Sequence, residues 1–123
     1  MKTILIIDDD EAILSIFSMV LKLHGYVVIG ANSGEAGLEL AREHRPDLIL
    51  TDISLPGLSG RSLPSHFRQN PNIAATPIVL MTGDADAALS AEDKASGVIE
   101  ILVKPVSMDA LLQCVNTKLK NGI

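Results

Sequence analysis

The sequence predicts an α/β protein, a doubly wound parallel sheet of five strands with five helices, and three observations carry that prediction. Five apolar runs of four to six residues recur along 123 residues, each without the polar alternation of a half-exposed strand. Amphipathic stretches of helical period lie between the runs. The length falls below the ~150 residues that serve as a prior for one domain, so a single domain over residues 1–123 is expected. A hydrophobic content of 47% and 20% charged residues are those of a chain with a real core.

The first strand is Thr3-Ile4-Leu5-Ile6-Ile7, a β-branched run that ends on acids. The first helix follows, with Ile13, Phe17, Val20, Leu21 and His24 at helical spacing and Gly25 as its stop. Tyr26 to Ile29 is the second strand, and Asn32-Ser33-Gly34-Glu35 offers N-caps to a second helix. That helix carries Ala36, Leu40 and Ala41 and closes on Arg42, His44 and Arg45 before Pro46. Leu48 to Thr51 is the third strand. The third helix is expected within Gly60 to Gln69, with Pro64 in its first turn. Ile78 to Met81 forms the fourth strand, and Ala85 to Ala95 the fourth helix, ended by Gly97. Ile99 to Val103 is the fifth strand, placed nearer an edge by Glu100. Ser107 caps the last helix, which turns Leu111, Leu112, Val115 and Leu119 inward.

Composition removes several functions. Fifteen acidic against ten basic residues give a net charge of −5, which opposes direct nucleic-acid binding and attraction to anionic lipid. The aromatic residues are Phe17, Tyr26 and Phe67 alone, too few for base-stacking platforms. The single cysteine, Cys114, excludes an internal disulfide and a cysteine zinc cluster, and it falls on the inner stripe of the last helix as a small apolar residue. His24, His44 and His66 lie in separate segments without metal-ligand spacing. No run approaches the ~18 apolar residues of a membrane span, so no membrane insertion and a cytoplasmic location are expected.

In a parallel sheet of this kind ligands bind outside the carboxyl ends of the strands. There the sequence places Asp8, Asp9 and Asp10, then Asp52, then Thr82 and Gly83, then Lys104. Adjacent carboxylates call for a cation, and oxygen donors without His or Cys suit a hard ion such as Mg²⁺, or Mn²⁺ in its place. Asp52 is the candidate nucleophile, since carboxylates form aspartyl-phosphate intermediates. Lys104 and the Thr82 hydroxyl are suited to hold phosphoryl oxygens. The competing reading is that Asp9, Asp10 and Glu11 cap the first helix and complement its dipole.

These motifs together resemble the receiver domain of the two-component response regulators, the CheY-like superfamily, from Lys2 to about Leu119. Ile4 to Asp10 is similar to the family's hydrophobic strand with its acidic pair. Pro46 to Gly60 resembles the phosphoacceptor strand and following loop, Leu80-Met81-Thr82-Gly83 the switch threonine, and Leu102-Val103-Lys104-Pro105 the lysine and proline. The resemblance implies a flavodoxin-like sheet of order 2-1-3-4-5. It also implies phosphorylation of Asp52 by a sensor histidine kinase or histidine phosphotransfer protein, and a downstream protein effector.

Metal ligands by the same resemblance are Asp8, Asp9, Asp52 and the backbone carbonyl of Ser54; the run of three acids leaves a one-residue alternative in which Asp10, the less favoured, takes a ligand position. Lys104, Thr82 and the Gly83 amide hold phosphate, and the Lys104–Pro105 bond is cis. Ile101 stands where family members carry a switching aromatic, which implies a smaller change on the surface offered to partners. Two other readings stay open beside the signalling module. One is a receiver-fold scaffold weakly coupled to phosphate; the other is an aspartate-nucleophile phosphatase, disfavoured because Ser54 stands where such enzymes carry a second Asp. A flavodoxin-type FMN carrier is disfavoured because Asp8 to Glu11 would repel the phosphate.

Overall fold

The computed structural model describes residues 1–55, 57 and 62–119. Pro56 and residues 58–61, which carry part of the loop motif after Asp52 and the earliest expected start of the third helix at Gly60, lie outside the described residues, as do residues 120–123. Strands and helices alternate: β1 (Thr3–Ile7), α1 (Glu11–Leu23), β2 (Val27–Ala31), α2 (Gly34–His44), β3 (Leu48–Asp52), α3 (Leu63–Arg68), β4 (Ile78–Thr82), α4 (Ala91–Ala95), β5 (Val98–Val103) and α5 (Met108–Lys118). The strands form one parallel sheet in the order β2-β1-β3-β4-β5. The order expected from the resemblance is the order observed.

The sheet divides the interior into two cores because successive strand side chains point to opposite faces. On one face Ile4, Ile6, Leu50 and Met81 meet Leu14, Phe17 and Leu21 of α1 and Leu111, Cys114 and Val115 of α5. On the other, Leu5, Ile7, Ile49 and Leu80 meet Ala41 of α2 and Leu63 and Phe67 of α3. Gly37 allows α2 its close approach to β1, since a Cβ there would lie 2.4 Å from Ile7 Cδ1.

Helix caps follow the sequence signals. Asp10 caps α1 by accepting the N–H groups of Ala12 and Ile13 at 2.9 and 3.3 Å. Ser33 caps α2 and Ser107 caps α5, each accepting an N–H three residues on. Pro64 falls in the first turn of α3, where its missing N–H costs no helical bond.

β3, β4 and β5 each run one residue beyond the expected strand, at Asp52, Thr82 and Val98, and two elements, β2 and α4, differ more. β2 starts at Val27 and continues through Gly30 and Ala31, which pair with Ile6 and Ile7. Tyr26 belongs to the preceding turn, its N–H bonded to Leu21 O at 3.2 Å and its hydroxyl donating to Asn116 Oδ1. α4 spans only Ala91–Ala95, not Ala85–Ala95. The residues before it prefer local bonds: Asp84 Oδ1 accepts the Asp86 N–H at 2.9 Å, and the Ala87 N–H bonds Asp84 O. Ser90 and Asp93 then exchange side chain-to-backbone bonds as a capping box, which fixes the helix start. β5 lies at the sheet edge, as Glu100 suggested, and its register against β4 shifts by one residue between Val98 and Glu100.

Candidate functional site

Asp8 follows β1 directly and is fully buried, its N–H held by Ala31 O at 3.0 Å. Its Oδ1 accepts the Asp10 N–H at 2.9 Å and its Oδ2 accepts Lys104 Nζ at 3.0 Å. Asp52 is the last residue of β3 and is also buried. Its Oδ2 lies 3.2 Å from Lys104 Nζ, and its Oδ1 accepts the Ser54 N–H at 3.2 Å. Asp9 is exposed. Asp8, Asp9 and Asp52 can each present one carboxylate oxygen within 4.8 Å of the others. Asp10 has its carboxylate turned onto α1 instead, so in this run of three acids the cap and the cluster are different residues.

The remaining groups arrive from β4 and β5. Thr82 ends β4 with its Oγ1 accepting the Asp84 N–H at 3.1 Å, and exposed Gly83 follows. The Lys104 N–H donates to Thr82 O at 2.6 Å, which ties the end of β5 to the end of β4, and the Lys104–Pro105 peptide is cis. Ser54 is exposed just beyond Asp52. Ile101 is half-buried and packs against the core beneath α2 and α3.

Burial governs the electrostatics. It pushes the Asp8 carboxyl above its usual range, outweighing the Asp10 N–H and Lys104, which act the other way. For Lys104 burial alone would lower the ammonium, but hydrogen bonds and charge from Asp8 and Asp52 outweigh it and hold the group above its ordinary value. The two buried carboxylates, Asp8 and Asp52, thus share one ammonium, and exposed Asp9 stands beside them. An all-oxygen donor set with this charge deficit fits a hard divalent cation.

One acidic neighbour has no signal in the sequence. Glu35, at the start of α2, lies against the loop after Asp52: a Cβ on Gly57 would come 3.1 Å from its Oε2, and Gly57 holds φ at +72°. The two residues are distant in sequence, and although Gly57 falls within the Pro46–Gly60 motif, nothing in that motif points to Glu35.

The comparisons agree with this geometry. The family model for the response regulator receiver domain matches residues 4–116. The chain is 32% identical over 119 residues to PilH of Pseudomonas aeruginosa, covering 97% of this chain and 98% of that protein. Its fold is similar to the chemotaxis response regulator CheY4 of Vibrio cholerae, with a TM-score of 0.89 at 30% identity over 97% of this chain and 99% of that one. It is also similar to the response regulator TrrA of Thermotoga maritima, solved in complex with Mg²⁺ and BeF, with a TM-score of 0.84 at 28% identity over 97% and 100% of the two chains. A five-stranded parallel sheet whose carboxyl ends gather Asp8, Asp9, Asp52, Thr82 and Lys104, together with these matches, identifies the chain as a member of the response regulator receiver domain family of two-component signalling.

Proposed function

We propose that this receiver domain is switched by phosphorylation of Asp52. The observation that carries the reading is the placement of Lys104 Nζ between the carboxylates of Asp8 and Asp52, 3.0 and 3.2 Å away, at the mouth of the sheet. A carboxylate oxygen of Asp52 attacks the phosphorus of a phosphohistidine on a sensor kinase or phosphotransfer protein. The O–P bond forms as the P–N bond breaks, and the imidazole leaves with the electron pair and takes a proton. Lys104 turns from its carboxylate partners toward the new phosphoryl oxygens, and the Thr82 hydroxyl and Gly83 N–H donate to them.

Asp8, Asp9, Asp52 and the Ser54 carbonyl would hold Mg²⁺, or Mn²⁺ in its place. When bound, the cation supplies positive charge that offsets the clustered carboxylates and the incoming phosphoryl group. That the similar response regulator TrrA was solved in complex with Mg²⁺ and BeF supports a divalent cation at this end of the sheet. Thr82 Oγ1 accepts the Asp84 N–H, so drawing the hydroxyl toward phosphate would pull on or break that bond and couple the site to the residues before α4. A downstream protein reads that change as a population shift.

The test is intact mass after incubation with Mg²⁺ and a small phosphodonor. Wild type should gain one phosphoryl group and Asp52→Asn none; an unmodified wild type overturns the reading. Ile101 favours a second reading, a receiver fold only weakly coupled to phosphate, because an aliphatic side chain there moves little bulk. Beryllofluoride separates the two: amide shifts confined to the loops around Asp52 support the uncoupled form, and shifts reaching β5 and α5 support the switch.

A further inference from the structure

We propose that the groove between α2 and α3 is a docking site for an extended acidic peptide of a partner protein, and that it works whether or not Asp52 carries phosphate. Leu38 and Arg42 of α2 form one wall, His66 and Gln69 at the end of α3 form the other, and the chain that follows, Asn70-Pro71-Asn72, closes the groove. The space is about 460 Å³. Helices of a parallel sheet run back against its strands, so the closing turns of α2 and α3 lie where β3 and β4 begin. Asp52 stands at the opposite end of β3, a strand length away.

Chemistry selects the occupant. In a chain of net charge −5, the described residues that line this groove include no carboxylate and offer instead a guanidinium, an imidazole and three side-chain amides. Helix dipoles account for a basic residue in each last turn, but not for the amides beside them. Asn70 Oδ1 accepts the Asn72 N–H at 3.0 Å and so fixes the turn, while the Gln69 and Asn72 side chains bond nothing among the described residues. An amide presents donor and acceptor together, as a peptide unit does, so this set suits an extended main chain. Leu38 and Pro71 add a small apolar floor. Arg42 engages one nitrogen with Glu39 at 3.0 Å, and both side chains stand in water, where such a pair is weak. A ligand carboxylate can displace Glu39 and take the guanidinium fork in two parallel bonds.

Amide spectra of the nitrogen-labelled full chain test this, with an acetylated peptide of about eight residues that alternates Glu and Thr, a pattern suited to the extended form. The amides of Leu38, Arg42, His66, Gln69 and Asn72 should shift, with Kd on the order of 0.5 mM in low salt and at least threefold weaker near 0.2 M salt. Arg42→Glu should weaken binding at least tenfold, and Arg42→Lys, which keeps the charge without the fork, at least threefold. The double variant Gln69→Ala/Asn72→Ala should also lose at least threefold. All three positions are exposed, and unchanged melting temperatures show that the variants fold. Asp52→Asn should bind as wild type does; since no phosphodonor enters the experiment, its outcome stands apart from the mass test of Asp52. A groove whose amides do not shift overturns the proposal, as does binding indifferent to Arg42→Glu or lost in Asp52→Asn. So does a Gln-Thr peptide that binds equally well, or inorganic phosphate that shifts the same amides as strongly, which would make the groove a site for simple anions.

Discussion

Lys104 Nζ lies 3.0 Å from Oδ2 of Asp8, a carboxylate with no exposure to water. The two residues are 96 positions apart, so this contact closes the sheet's working end across nearly the whole chain. It also makes the lysine the counter-ion of both buried carboxylates, Asp8 and Asp52.

Lys104→Met should therefore destabilise the metal-free protein, because it strands two buried carboxylates. With the lysine a quarter exposed, the expected loss is roughly 2–3 kcal/mol, below the range for a fully buried pair. Urea denaturation in chelator reads it as a lower midpoint at unchanged m-value. Added Mg²⁺ should recover part of the loss in the variant and shift wild type less.

Asp8→Asn should do the opposite. A carboxyl whose folded pKa is raised contributes stability that is present below its unfolded value of 3.8 and lost as pH rises through the folded value. Asparagine removes that loss. The variant should melt above wild type at pH 7 in chelator, and the gap should close as pH falls below about 4. Mg²⁺ affinity, followed by calorimetry, should fall at least tenfold in the same variant.

Cys114 supplies an alkaline signature. Burial, with Glu100 nearby, raises its thiol from 9.0 to about 11. The folded state holds the proton longer than the unfolded chain, so stability is complete below pH 9 and declines as pH climbs toward 11. The decline has an upper bound of roughly 2–3 kcal/mol. Cys114→Ala should cost about 1 kcal/mol at neutral pH and flatten that decline. Thermal melts of both proteins across this interval check it, and a slope unchanged by the substitution would refute the assignment.

Gly37→Ala tests the packing that sets α2 on β1. The new Cβ would fall 2.4 and 2.8 Å from Cδ1 and Cγ1 of fully buried Ile7. Alanine gains about 1 kcal/mol of helix propensity, but overpacking should leave a net loss of roughly 1–2 kcal/mol. Ile7→Val removes Cδ1, so the double variant should be more stable than the sum of the singles predicts.

The strands were legible because buried parallel strands read as unbroken apolar runs, and a parallel sheet then places Asp8, Asp52, Thr82 and Lys104 at one end whatever the details of the loops. Asp10 was legible as a cap and Asp9 as a member of the cluster, but only geometry separates adjacent acids. The length of α4 was not legible: Ala85 to Ala95 has helical composition, and the competing Asp84 turn and Ser90–Asp93 box win through side-chain bonds that periodicity does not register. Nor was the approach of Glu35 to Gly57, which depends on how α2 is set down on the sheet.

The common direction of the strands has a further consequence for anyone wishing to alter this protein. The turns at residues 24–26, 45–47 and 96–97 all lie at the amino ends, and five residues of strand, about 16 Å, separate them from Asp52. Labels or grafts placed there would stand a full strand length from the carboxylates of Asp8 and Asp52. Each turn has its own ties: Tyr26 is bonded to Leu21 and Asn116, Asp47 to Thr3, and Arg68 pins residues 69–77 through the carbonyls of Ala74 and Thr76. A designer gains distance from the carboxylates at that end and must work between these ties.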